Sequence, residues 1–342
     1  MGTAGHVMRI AAALTLLGAV LAVAAGCGEK EEQRQGAEPE RFDLALDFFV
    51  NPDHIGIYEA LEQGYFEQAG LDVKPRVPAD PAAPIKQVAA GQVDLAISYE
   101  PEVMIARDAG LDVVAVGALV QEPLTSLISL PEAGLEEIAD LEGKTIATAG
   151  IPYQAAFLES ILERAELSGD DVDEVNVGLG LLPALLSKRA DAMLGGFKNV
   201  EGVDLELRGE DPRVVPVDEL GIPTYDELVL VASGERVEED PEQIRLFIAA
   251  LERGTRDAIR DPGGATEALL DAAPDLDPRL TAAEVEATLP LLEPEPGDPY
   301  GYMELGQWQQ FAGFMTDAGL LNALPQAGDM LTNELLPQRP SG

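Results

Sequence analysis

The chain has 342 residues, 46% of them hydrophobic, enough apolar material for one large core or two smaller ones. Lys and Arg number 22 against 62 Asp and Glu, so the formal charge is 22 − 62 = −40; phosphate polyanions are repelled and nucleic acid is excluded as a partner. So acidic a surface, with only six lysines, is one whose self-repulsion high salt would screen.

Residues 10–25 are an unbroken apolar or near-neutral run of 16 behind Arg9, and Ala24, Ala25 and Gly26 then lead into Cys27. This resembles a bacterial lipobox, so residues 1–26 read as a cleaved export signal and Cys27 as the lipidated start of the mature chain. The run is shorter than the ~20 residues a spanning helix needs. As the only cysteine, Cys27 has no partner for a disulfide and no second thiolate for a metal site. Residues 27–41 are polar without an apolar period, as a flexible tether would be.

Strand-like and helical runs then alternate. Residues 42–48 alternate apolar and polar, residues 55–63 fit a helix that Gly64 punctuates, and residues 71–77 predict the next strand. A helix over 85–90, a buried strand over 93–98, a helix over 102–109 and a strand over 112–120 follow. After Pro123 a second series begins: strand 144–149, helix 153–167, strand 175–178, helix 182–189, strand 192–194, and two further strands at 214–217 and 228–232. Beyond Pro241 the pattern is helical over 243–260, 264–272, 282–289 and 305–318. The order strand, helix, strand implies parallel α/β sheets, and two α/β lobes with a helical tail is the simplest architecture.

Much chemistry is missing. No G-x-S-x-G elbow, phosphate loop or dinucleotide fingerprint occurs, and the Gly178 and Gly180 pair lacks the third glycine that would open a helix on a pyrophosphate. His54 is the only histidine after the export signal, which excludes metal sites built from several imidazoles. Carboxylate pairs are expected by chance at this acidity, so none marks a glycosidase. No cofactor and no metal are expected, and an enzyme is the weaker class.

One stretch is specific. The segment Leu46, Asp47, Phe48, Phe49, Val50, Asn51, Pro52, Asp53, His54, Ile55, Gly56, Ile57, Tyr58 resembles the L-D-W-x-P-N-x-x-H-x-G-x-Y opening of the pyrimidine-precursor-binding proteins of thiamine salvage. Asp, Asn, His, Gly and Tyr fall in register, and Gly64, Tyr65, Phe66 with Gly70, Leu71, Asp72, Val73 continue that family's pattern. Residues 91–99, 196–203 and 221–225 resemble its later cleft segments, so the likeness spans residues 42–233. The resemblance implies a two-lobed periplasmic-binding-protein-like fold of type II, with parallel-dominated mixed sheets and a helical C-terminal tail. Lobe one would be residues 42–119 plus 233–342 and lobe two residues 120–232.

It also implies a function: a monomeric, lipid-anchored, extracytoplasmic solute-binding component of an ABC importer, delivering a hydroxymethyl- or formylamino-pyrimidine to permease and ATPase subunits. Phe48 and Val50 depart from the family's Trp and Pro. A related branch that binds flavin precursors also carries Phe there, which makes riboflavin-type heterocycles the runner-up. A pyrimidine-synthase-like enzyme, the rival class, would need a lysine near His54, and Asp53, Ile55 and Glu59 offer none.

Ligands of open α/β sheets sit at the carboxyl ends of strands, where Asp47, Tyr99, residues 149–153 and residues 195–201 all fall. An aminopyrimidine needs aromatic walls and a carboxylate or amide at its polar edge. Glu201 is the best carboxylate, Asn199 a donor or acceptor beside it, and Asp47 an acceptor or a helix cap. Asn51 and His54 are expected at the ligand from the motif; Tyr99 and Tyr153 are expected as walls, Tyr58 in the core. Strand alternation puts Phe48 and Phe49 on opposite sheet faces, so that one stacks on the ligand and the other packs.

Overall fold

The computed structural model describes residues 38–337, so the export signal and Cys27 lie outside the described residues. The strands, in chain order, are β1 (Glu40–Ala45), β2 (Leu71–Arg76), β3 (Leu95–Ser98), β4 (Val113–Val120), β5 (Thr125–Ser129), β6 (Thr145–Thr148), β7 (Asp173–Asn176), β8 (Ala192–Phe197), β9 (Arg213–Pro216) and β10 (Leu228–Ser233). They form two five-stranded sheets ordered β2-β1-β3-β10-β4 and β7-β6-β8-β5-β9. In each, four strands run the same way and one from elsewhere in the chain enters antiparallel to them: β10 between β3 and β4, β5 between β8 and β9. The fold is α/β, with the parallel-dominated mixed sheets that the resemblance implies and one antiparallel strand in each that the alternation does not predict.

Burial explains which strands are central. In β10, Leu228, Val229, Leu230 and Val231 are all buried, the continuous apolar run of a strand covered on both faces. At the edges, β7 leaves Asp173 and Glu174 exposed, and these charges guard an open row of backbone groups.

The chain crosses between the sheets twice, over residues 121–124 and 217–227. Glu227, fully buried, ties the crossings together: Oε2 accepts from the Leu124 and Thr125 N–H groups, each at 2.7 Å, and from Tyr225 Oη at 3.0 Å. Its Oε1 accepts from Thr125 Oγ1 at 2.9 Å.

The helix Pro241–Arg260 lies on the helix Ile55–Glu62. Close approach there rests on two glycines: a Cβ on Gly254 would collide with the Gly56 carbonyl, and one on Gly56 with Thr255 Oγ1. Beside this crossing, Phe247 stacks between Phe42 and Phe66, with centroids at 5.1 and 5.0 Å. The later tail touches both sheets: Leu331 pairs with Ala115 of β4. Helix Pro278–Thr288 packs against both the turn Pro52–His54 and the helix Glu201–Leu207, and Phe311 and Phe314 of helix Leu305–Asp317 meet Phe157 beside the second sheet. No helix among the described residues is long and apolar enough to cross a membrane.

Three local expectations change. The first strand stops at Ala45 instead of running through Phe48, so the pleat that would have sent Phe48 and Phe49 to opposite faces is absent: Phe48 is half-buried and Phe49 exposed, in a bend. The sequence pattern shows no element between the strand over 192–194 and that over 214–217, yet a helix, Glu201–Leu207, opens at Glu201. Finally, β5 has no counterpart in the sequence pattern; Thr125, Ser126 and Ser129 weaken its apolar signal, and pairing with β8 and β9 on either side makes it a strand.

Candidate functional site

A narrow slot opens between the two sheets where β1, β3, β6 and β8 end. It measures about 370 Å³ including its mouth. Phe48, Tyr99, Tyr153, Ile151, Phe197 and Val200 wall it, while Asn51, Gln154 and Glu201 supply polar groups. Tyr99 and Tyr153 meet edge to face at 5.7 Å, a rigid aromatic corner. The slot sets aromatic walls against a polar rim, and its closed interior is tight, about 20 Å³.

Glu201 opens the helix Glu201–Leu207 and is 8% exposed. Its Oε2 accepts from the Phe197 N–H at 2.7 Å, which leaves Oε1 for a ligand. Burial pushes its pKa up to about 7, against the pull of backbone hydrogen bonds, so near neutrality the free oxygen can accept from an amino group or donate to a ring nitrogen.

Gln154 is the polar residue that the sequence pattern misses. Its Oε1 accepts from the Ala149 N–H at 2.8 Å, anchoring the amide at the strand end. The signal was positional: Gln154 directly follows Tyr153, in the first turn of the helix that β6 feeds. Gly195 makes room for it, since a Cβ there would collide with Gln154 Nε2 and the backbone holds φ +113°, a region L side chains rarely adopt.

The motif residues Asp47 and His54 stand behind the slot. Both are buried; His54 Nε2 donates to Asp47 Oδ1 at 2.9 Å, and Tyr99 Oη donates to Asp47 Oδ2 at 3.0 Å. The Asn51 N–H meets His54 Nδ1 at 3.3 Å, which puts the ring proton on Nε2. Asp47 thus aims the Tyr99 ring and is neither a helix cap nor at the slot surface. Asn51 does reach the slot, but its side chain is engaged: Oδ1 accepts from the Asp53 N–H at 2.8 Å, and Nδ2 donates to the Phe49 carbonyl at 3.2 Å. It holds the turn that presents Phe48.

Asn199 is elsewhere again. Its Nδ2 donates to Asp53 Oδ1 at 2.7 Å and to Thr288 Oγ1 at 2.8 Å, joining three distant segments in one buried clasp. Asp53 Oδ2 and Asn199 Oδ1 find no partner there, and burial raises the Asp53 carboxyl to about 7. Of the eight residues expected at a ligand, the structure brings Phe48, Asn51, Tyr99, Tyr153 and Glu201 to the slot and places Asp47, His54 and Asn199 behind or beside it. No cluster of His, Cys, Asp or Glu among the described residues is arranged to hold a metal ion.

Comparison with known proteins gives a consistent picture. A family described as NMT1/THI5 like matches residues 51–265. The chain is 36% identical over 283 residues to a putative thiamine biosynthesis protein of Haemophilus influenzae, covering 82% of this chain and 88% of that one. It is 33% identical over 279 residues to the formylaminopyrimidine-binding protein of Halalkalibacterium halodurans, covering 81% and 84%. More distant, at 26% over 223 residues and covering 62% and 64%, is a 4-amino-5-hydroxymethyl-2-methylpyrimidine phosphate synthase of Schizosaccharomyces pombe. Among solved structures, the alkanesulfonate-binding protein of Xanthomonas axonopodis superposes with a TM-score of 0.68 at 19% identity, over 86% of this chain and 99% of that one. The fold is that of the periplasmic binding proteins.

Proposed function

The chain belongs to the NMT1/THI5-like family, and on that premise we propose that it is an extracytoplasmic solute-binding protein whose slot captures an aminopyrimidine precursor of thiamine. The ligand is of the hydroxymethyl or formylamino type, and the closed form hands it to the permease and ATPase subunits of an importer. One observation carries the reading: an aromatic-walled slot is bordered by Glu201, whose second carboxyl oxygen is left to meet the edge where an aminopyrimidine presents its amino group and ring nitrogen. The formylaminopyrimidine-binding relative supports the same chemistry.

Calorimetry with 4-amino-5-hydroxymethyl-2-methylpyrimidine tests this. Glu201→Gln keeps the shape but sets an amide NH₂ against the ligand's amino group, a mismatch worth about 1 to 3 kcal/mol, so affinity should fall roughly tenfold to a hundredfold. Unchanged affinity removes Glu201 from the site. Binding of riboflavin, and not of the pyrimidine, would move the ligand class to flavins.

The lipid anchor is part of the same proposal and rests on Cys27. A Cys27→Ser chain should stay uncleaved by the lipoprotein peptidase; recovery of a cleaved, membrane-bound Cys27→Ser species refutes the anchor.

A further inference from the structure

Glu201 has a second side. Phe48, Asn51, Val200 and Glu201 also border a second, adjoining chamber of about 760 Å³ including its open mouth. The walls of the second are apolar, with Phe49, Leu182 and Leu280 among them, and 51% of the Phe49 surface is exposed at this end. Four carboxyl side chains also line it, Glu201, Asp204, Asp277 and Glu284, and no lysine or arginine does.

Three of the four already have work. Asp204 is gripped by Arg208 at 2.6 and 3.0 Å; Asp277 accepts the N–H groups of Arg279 and Leu280, capping the helix Pro278–Thr288; Glu201 binds the Phe197 N–H. Glu284 differs. It is 6% exposed, makes no hydrogen bond or ion pair among the described residues, and borders the chamber. Its carboxyl faces the chamber without a protein partner, and partial burial, with Glu201, Asp204 and Asp53 adding repulsion, pushes it up to about 8. A cation in the chamber would remove both penalties, while the apolar walls exclude a hydrated metal ion and suit an organic one.

We propose that the second chamber is a subsite for an organic cation carried by the same ligand, with Glu284 as its counter-ion, so that the cleft fits an aminopyrimidine joined to a positively charged ring. The inference rests on the aminopyrimidine reading of the slot.

The test compares two probes by calorimetry at pH 8 and low salt: neutral 4-amino-5-hydroxymethyl-2-methylpyrimidine and thiamine, which carries the same ring joined to a thiazolium cation. Thiamine should bind at least about tenfold tighter, and Glu284→Gln should erase that advantage while changing the neutral probe less than about twofold. Glutamine keeps the shape and needs no ionisation, so the variant is expected to fold; its unfolding midpoint is checked alongside. Equal or weaker binding of thiamine overturns the subsite, as does an advantage that survives Glu284→Gln, and in both cases the neutral probe's binding leaves the slot reading standing. If neither probe binds, the slot reading falls and the subsite with it.

Discussion

Glu227→Ala should destabilise the protein by about 4 kcal/mol in urea unfolding, the largest single-site loss expected outside the hydrophobic core. Alanine strips the acceptor from four donors at once: two N–H groups at the start of β5 and the hydroxyls of Thr125 and Tyr225. An unsatisfied buried donor costs about 1 to 3 kcal/mol, and water admitted to the vacated space recovers part of the sum. The loss falls where both crossings between the sheets meet, so the unfolding should remain a single transition with a lower midpoint. Glu227→Gln separates acceptor from charge. Its carbonyl serves some of the donors while its NH₂ faces the rest, and the cost should be intermediate. A loss under about 1 kcal/mol for the alanine variant would show that the carboxylate is dispensable at the crossings.

How much of this was legible in the sequence depends on the range of the interaction. The alternation of strand and helix is local, carried by periodicity, and the order of most elements follows from it. β5 is set by its neighbours: Leu127 and Ile128 alone give no pattern, and pairing with β8 and β9 supplies it. The motif around Asp47 and His54 marked the right region without separating contact from support, because residue type is the same whether a carboxylate meets a ligand or aims a tyrosine that does. Asn199 shows the limit most plainly. Its partners lie 146 and 89 residues away in sequence, and no spacing rule connects Asp53, Asn199 and Thr288. Glu201 was legible as chemistry but not as structure, since the strand end predicted its place and the helix it opens was hidden.

The protein should be more stable at pH 5 than at pH 8, the reverse of ordinary acid denaturation. Burial raises the carboxyls of Asp53, Glu102, Glu201 and Asp226 to about 7 and that of Glu284 to about 8, from ordinary values of 3.8 for Asp and 4.5 for Glu. The sign follows from proton counting. Between the unfolded and folded values the folded chain holds more protons than the unfolded one, so stability falls as pH climbs through that window and levels off above it. Between pH 5 and pH 8 one group with a folded value of about 7 accounts for about two units, about 3 kcal/mol, which for a chain of this size moves Tm by about 4 °C. Repulsion across a surface of formal charge −40 pulls in the same direction, so the two causes must be separated. Salt does this: at 1 M the Debye length is about 3 Å, which screens surface charges but scarcely reaches buried ones. Calorimetric Tm values at pH 5 and pH 8 in 1 M salt should therefore keep most of the drop seen at low salt. A Tm that rises from pH 5 to pH 8, or a drop that vanishes in salt, would show that these carboxyls find partners or water in solution and do not set the pH response.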